Sequence, residues 1–316
     1  MIINILISCV ECLNLYKKGC LINMDIKIKG LTKVYSKGTI ALNNVDLDIT
    51  QGMFGLLGKN GAGKTTLMRV LTGLLEPTRG LVRICGIPLE KKNILSIKSL
   101  VGYLPQEFGF YNNLTVYEAM DYMGILNRMN PQNRKKRIDE LIIQLNLQQE
   151  SHKKFYQLSG GMKKRLGIAQ ALLNEPEILI VDEPTSGVDP EERIRIRNIL
   201  NEYSKKSIVL FSTHIVEDIA NTCDRLAILN YGEIIYKGSV IDLIRQAKGS
   251  VWECTLYNTD ELDEIKQNYM VISSHHFRNK IEIRIVSRDR PNLECIEAEP
   301  SIEDAYMLLS SKEEDK

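Results

Sequence analysis

The chain has 316 residues, 44% of them hydrophobic and 26% charged, which is ample for one large α/β domain with a small neighbour, or for two ordinary domains, and excludes a disordered chain. Its 41 Lys and Arg against 40 Asp and Glu leave a net charge of +1, so bulk electrostatics give no reason to expect a nucleic-acid partner. Seven cysteines, an odd and irregularly spaced set, do not make a disulfide framework and are read as thiols of a reducing compartment.

The apolar opening, residues 1–10, lacks the basic lead of a signal peptide and is broken by Glu11. Cys9 and Cys12 form a C-x-x-C with Cys20 nearby, but no second pair follows and the nearest histidine is His152, so zinc is not indicated. Residues 1–23 are therefore read as an N-terminal extension, with Met24 as an alternative start because strand-like alternation begins directly after it. Nowhere does the sequence approach the ~20 consecutive apolar residues of a membrane-spanning helix.

Ile26 and Ile28, then Val45, Leu47 and Ile49, alternate with polar residues and predict half-buried strands. Residues 53–57 are a short apolar run feeding into Gly58, and residues 65–75 carry helical spacing, giving strand, glycine loop, helix. Residues 81–85 and 100–104 read as further strands. From about 107 to 176 strand runs are absent and charge clusters at 133–137, so this stretch is read as a helical subdomain and the cluster as a solvated helix face rather than a nucleic-acid patch.

Continuous apolar runs at 178–181, 208–211 and 226–229 have the pattern of buried parallel strands, and Gly232 turns the last of them into a hairpin with 233–236. After about Val240 the pattern changes. Trp252, Cys254 and Leu256, then Ile281, Ile283 and Ile285, alternate with polar residues; 260–268 reads as a helix, and Ser301 with Asp304 is a capping-box start for a last one. The expected domains are 24–240 and a small α+β appendage over 241–316.

Gly58, Lys59, Asn60, Gly61, Ala62, Gly63, Lys64 and Thr65 fit G-x-x-x-x-G-K-[ST], with Thr66 next on the helix. Its glycines let backbone N–H groups face one concavity that takes phosphate oxygens, Lys64 brings a mobile charge to the β and γ phosphates, and Thr65 offers a hydroxyl to Mg²⁺. Asp182 and Glu183 stand just beyond the strand at 178–181, where open parallel sheets bind ligands. Asp182 suits the Mg²⁺ shell, and Glu183, one residue on, suits orienting or deprotonating a water.

Leu158, Ser159, Gly160, Gly161 and Met162, between that loop and those acids, resemble the signature of the ATP-binding cassette (ABC) family, and the resemblance runs from about 25 to 237. It implies an α/β P-loop NTPase of the ABC ATPase type, with an antiparallel β subdomain, a helical subdomain and the appendage. It further implies that Tyr35 stacks on adenine, that Gln106 is the Q-loop glutamine touching Mg²⁺ and water, that Asp189 ends the D-loop 186–189, and that His214 contacts the γ phosphate. Ser159, Gly160 and Gly161 would grip the γ phosphate of ATP held by a second cassette, so that a bulky acid at Gly161 spares ATP binding and stops turnover. Met162 departs from the glutamine commonest there, which removes a side-chain hydrogen bond and leaves the backbone grip.

The function this implies is ATP hydrolysis by one subunit of a homodimer or heterodimer of cassettes, peripheral at the cytoplasmic face of the membrane, driving a separate multi-spanning permease docked near the Q-loop. Residues 299–304 resemble the tail of cassettes serving ABC-2 type exporters of drugs, antibiotics, lipids or polysaccharides. A soluble ABC-type ATPase acting on DNA or ribosomes is the alternative, but it lacks here the long coiled-coil or zinc insert, or the tandem cassette, that such relatives carry. A binding module without turnover does not need Lys64, Asp182, Glu183 and His214 together.

Overall fold

The computed structural model describes residues 24–36, 38–277 and 280–314, the side chains of 259, 260 and 311–314 excepted; the readings on residues 1–23 fall outside them. In chain order the elements are β1 (Asp25–Val34), β2 (Ile40–Thr50), β3 (Gly52–Leu57), α1 (Lys64–Leu71), β4 (Arg79–Ile84), β5 (Ile87–Pro88), α2 (Ile94–Leu100), β6 (Val101–Leu104), α3 (Val116–Leu126), α4 (Pro131–Gln144), α5 (Gly160–Leu172), β7 (Ile178–Asp182), α6 (Pro190–Ser204) and β8 (Ile208–Thr213). Then come α7 (Val216–Ala220), β9 (Arg225–Asn230), β10 (Glu233–Ser239), α8 (Val240–Arg245), β11 (Val251–Leu256), α9 (Thr259–Asn268), β12 (Met270–Phe277), β13 (Lys280–Val286), β14 (Cys295–Glu297) and α10 (Ile302–Glu314).

Two compact units result: one runs to His214 and includes Ala227–Tyr236, the other comprises Ile215–Leu226 and the chain from Lys237 onward. The second unit thus takes in α7 as well as the stretch after 240.

In the first unit a six-stranded sheet has the order β10-β9-β3-β8-β7-β6, and a four-stranded sheet the order β2-β1-β4-β5. Every residue of β7 and β8 is buried, which is why both read as unbroken apolar runs rather than alternation. Ile178, Ile180, Ile208 and Leu210 join one core with Leu56, Leu67 and Leu71, each contributing roughly 1.5–3 kcal/mol of transfer free energy. The strands β3, β8, β7 and β6 are parallel, with Leu57 opposite Thr213, Asp182 opposite Ser212 and Leu104 opposite Val181. That register brings four loops out at the same carboxyl edge: 58–63, 183 onward, 105–106 and His214.

The stretch expected to be helical holds α3, α4 and α5. Thr115 opens α3 with a reciprocal capping box, its N–H donating to Glu118 (2.8 Å) and its hydroxyl accepting the Glu118 N–H (3.2 Å). Asn130 caps α4 ahead of Pro131. Within the basic cluster, Arg134 donates to Asp121 (2.6 Å) and Arg137 to the Leu172 carbonyl (3.0 Å), so two of its cations knit the subdomain together.

In the second unit the antiparallel sheet β12-β13-β11-β14 packs Cys254, Leu256, Ile281, Ile283 and Ile285 against Leu262 and Ile265 of α9. Ser301 and Asp304 form the expected capping box at α10, and Arg284 clamps Asp304 through its Nε and Nη2 while Nη1 reaches Glu253. The strand β12 escapes sequence reading because its register shifts between Val271 and Ser273 and its second half is exposed, which destroys the period of two. The cysteine reading is corrected here. Cys254 and Cys295 face each other across β11 and β14 and form a disulfide, while Cys85 and Cys223 are free and buried.

Candidate active site

The loop after β3 turns through Gly61 (φ 82°) and Gly63 (φ 109°), left-handed conformations that suit glycine. A Cβ on Gly63 would stand 2.4 Å from the Ala41 carbonyl, and one on Gly58 2.4 Å from the Leu229 carbonyl, so β2 and β9 press the loop into shape. Lys59, Asn60 and Gly61 are exposed along its rim, while Ala62 is buried and accepts the Gly232 N–H (2.9 Å). From the first residue of α1, Lys64 folds back over the loop and donates to the Gly58 carbonyl (2.7 Å) and the Lys59 carbonyl (3.2 Å).

The two strand-end acids face different partners. Asp182, fully buried, accepts the Thr65 hydroxyl on one oxygen (2.7 Å) and the Ser212 hydroxyl on the other (2.5 Å). Glu183, 4% exposed, turns its carboxylate to three donors: His214 Nδ1 at 3.1 Å and Lys64 Nζ at 3.4 Å on Oε1, and Gln106 Nε2 at 3.2 Å on Oε2. Its backbone has φ 48°, unusual for a residue with a Cβ, and its N–H is held by Ser212 Oγ (3.0 Å). Residues read from four separate stretches of sequence, Lys64, Thr65, Gln106, Asp182, Glu183 and His214, thus stand within one hydrogen-bonded cluster.

Tyr35 stands at the end of β1, half-exposed, its hydroxyl 3.3 Å from the Thr66 hydroxyl at the start of α1. Lys33 Nζ stands over its ring, 5.6 Å from the centroid.

The hydrogen bonds of the remaining predicted residues run elsewhere. Ser159 caps α5, its hydroxyl accepting the Met162 N–H (3.3 Å), and Gly160 and Gly161 begin the helix. Asp189 caps α6 through the Glu192 N–H (2.9 Å). Between the two helices Arg165 grips Glu192 with Nε (to Oε2, 2.9 Å) and Nη2 (to Oε1, 3.4 Å), and its Nη1 donates to the Leu145 carbonyl (2.8 Å), a buried and hydrogen-bonded tie. A Cβ on Gly161 would meet Glu192 Cγ at 2.5 Å, whereas on Gly160 the nearest atom is the Gly187 carbonyl at 3.7 Å. Gly160 and Ser159 are exposed; Gly161 is packed.

Sequence reasoning passed over Ser212, Lys164, Arg165 and Glu192. Ser212 carried one usable signal: with Thr213 it ends a wholly buried strand whose other residues are apolar, and a buried hydroxyl demands a polar partner. Burial, and after it the charge of Asp182, push the Tyr103 phenol up to about 12.

A glycine loop feeding a helix at the carboxyl edge of a parallel sheet, beside a buried Asp and a Glu faced by Lys, His and Gln, defines a phosphate-loop nucleoside triphosphatase. Residues 42–186 match the family model described as ABC transporter. Similar chains include the uncharacterized ABC transporter ATP-binding protein YxlF of Bacillus subtilis (strain 168), 36% identical over 80% of this chain and 83% of that one. The Nod factor export ATP-binding protein I of Rhizobium sp. (strain N33) is 32% identical over 92% of this chain and 98% of its own. Among solved structures, the dimeric post-hydrolysis ATP-binding cassette MJ0796 bound to ADP and Pi is 30% identical with a TM-score of 0.61, over 68% of this chain and 98% of that one. The chain belongs to the ABC transporter family, as an ATP-binding subunit with ATPase activity.

Proposed function

We propose that this chain pairs with a second cassette, identical or related, over two ATP molecules, and that the pair drives a separate multi-spanning permease from the cytoplasmic face of the membrane. Among the described residues no helix is long and apolar enough to cross a bilayer, which fits a permease on another polypeptide. The convergence of Lys64, Gln106 and His214 on the Glu183 carboxylate carries the catalytic part of this reading.

In it, the loop N–H groups and Lys64 receive the β and γ phosphates, and Tyr35 receives the adenine ring. Glu183 takes the proton of the water that attacks the γ phosphorus in line with the departing ADP oxygen, and His214 and Lys64 offset the charge that develops on the phosphoryl oxygens. The Thr65 hydroxyl and the Asp182 carboxylate, 2.7 Å apart, with the Gln106 amide oxygen, left over from the nitrogen that meets Glu183, are the hard oxygens that would hold Mg²⁺. When bound there, Mg²⁺ neutralises charge on the β and γ phosphates.

Ser159, Gly160 and Gly161 serve the ATP of the partner cassette, and Asp189 helps set the two sites against each other by fixing the start of α6. The name of the Rhizobium relative and the resemblance of residues 299–304 to exporter cassettes support transport out of the cell of a drug, antibiotic, lipid or polysaccharide.

The test is Glu183→Gln. It should abolish steady-state hydrolysis, keep ATP binding and accumulate an ATP-dependent dimer, and the wild-type chain should co-purify with a multi-spanning protein from its native membranes. Undiminished turnover in the variant removes Glu183 from the base role; recovery with ribosomes or DNA instead of a membrane protein overturns the transport assignment.

A further inference from the structure

Lys163, Lys164 and Arg165 follow one another on the first turns of α5, yet they go in different directions. Arg165 is committed to Glu192 and the chain end after α4. Lys164 instead reaches across to the catalytic edge of the sheet, where its ammonium donates to two backbone carbonyls, Gln106 (3.0 Å) and Glu183 (3.3 Å). Those carbonyls belong to the two residues whose side chains meet each other at 3.2 Å. One cation thus spans the backbones of the residue expected to orient water and of the residue expected to deprotonate it.

The Glu183 backbone needs holding. At φ 48° it is in a region that residues with a Cβ rarely adopt, and it persists only where its surroundings over-determine it. Its N–H is tied to Ser212, and its carbonyl accepts the Ser186 N–H (3.3 Å) and Lys164. Only the last of these ties originates in the helical subdomain.

We infer that Lys164 is a positioning residue for hydrolysis: it anchors the Gln106 and Glu183 carbonyls to α5 and so sets where the attacking water and its base stand. The inference rests on the assignment of Glu183 as base. Its consequence is a mechanical link within one chain. The amino end of α5 carries Ser159 and Gly160, the residues assigned to the partner's ATP, and one turn on the same helix carries the strut to this chain's own Glu183. Seating of α5 against the partner's nucleotide is then felt at the base of the neighbouring site.

The experiment compares Lys164→Met, which keeps the hydrocarbon stem and loses every donor, with Lys164→Arg, which keeps donors, alongside Glu183→Gln. Steady-state ATPase, nucleotide binding and thermal midpoint are read for each. Lys164→Met should lower kcat about 10- to 100-fold with KM for ATP changed less than about threefold and the midpoint nearly unmoved, and Lys164→Arg should recover a large part of kcat. An unchanged kcat in Lys164→Met overturns the inference. So does a parallel loss of kcat, nucleotide affinity and midpoint, which would make Lys164 a structural tie alone. Active Glu183→Gln would instead sink the base assignment beneath it, and the two failures are told apart by which variant keeps turnover.

Discussion

Ser212 donates its hydroxyl to Asp182 over 2.5 Å while the same oxygen accepts the Glu183 N–H at 3.0 Å. One buried side chain therefore fixes the carboxylate assigned to the metal and the backbone of the residue assigned as base. Ser212→Ala removes both bonds without opening a large void. The lost bonds and the under-satisfied Asp182 oxygen cost about 1–3 kcal/mol of stability, and the loosened Glu183 should lower kcat about tenfold or more while ATP binding through the glycine loop survives. Chemical denaturation and steady-state ATPase check the two halves separately; unchanged kcat would show that Ser212 does not position the acids.

Gly160 and Gly161 separate two causes that a single signature mutation confuses. The expectation that a bulky acid at Gly161 reports on a site shared with a partner meets Glu192, whose Cγ lies 2.5 Å from where the new Cβ would be. Glu192 cannot easily yield because Arg165 and Arg195 hold it. Gly161→Asp should therefore lower thermal stability as well as turnover.

Gly160→Asp has open room and an exposed position. It should leave the thermal midpoint and the ATP affinity of the single chain near wild type, and reduce turnover by at least about 10²-fold through repulsion of the partner's phosphates. Normal turnover of Gly160→Asp remains the result that removes the shared-site assignment.

What could be read beforehand divides by the range of the interaction. The glycine loop, the strand-end acids and the capping box at Ser301 are local patterns: spacing within a few residues dictates a turn, a strand end or a cap. Burial on both faces made β7 and β8 visible as unbroken apolar runs, and their parallel register then carried Asp182 and His214 to the glycine loop. The contacts of Lys164 with Gln106, 58 residues away, and of Arg165 with Glu192, 27 away, have no local signature, because only the packing of α5 decides where its basic side chains reach. The same is true of Cys254 and Cys295, which become neighbours through the pairing of β11 with β14.

Asp304 gives the second unit a defined acid sensitivity. Burial alone would raise its pKa, but hydrogen bonds from Arg284 and Ser301 outweigh it and hold the carboxyl below the ordinary aspartate value. A depressed folded-state pKa means the stabilisation is complete above the unfolded-state value, about 4, and is lost as pH falls through the folded-state value. Asp304→Asn removes the carboxylate charge that faces the Arg284 guanidinium, while the Asp304 N–H bond to Ser301 Oγ that opens α10 is kept. The variant should lose stability near neutral pH and converge toward wild type in acid. Urea titrations at pH 7 and pH 3 check this, and an equal loss at both would assign the effect to packing instead.

The cross-strand disulfide should matter to the second unit and not to the chemistry. Closing a loop of 41 residues restricts the unfolded chain by about 4 kcal/mol in the loop-entropy model, an upper figure because strand register already holds Cys254 opposite Cys295. Every residue of the hydrogen-bonded cluster around Glu183 belongs to the first unit, and the free Cys85 there is buried away from it among the sheet core. Cys254→Ser together with Cys295→Ser, or reduction of the wild type, should therefore lower the unfolding midpoint of a transition carrying the Trp252 signal while ATPase turnover at moderate temperature stays within about twofold. Trp252 is the chain's single tryptophan and lies two residues before Cys254 on β11, so its fluorescence follows this sheet directly. A midpoint identical with and without reductant would mean that the bond adds nothing to what the β11 and β14 ladder supplies, and a collapse of ATPase on reduction would make the second unit's integrity a condition of catalysis.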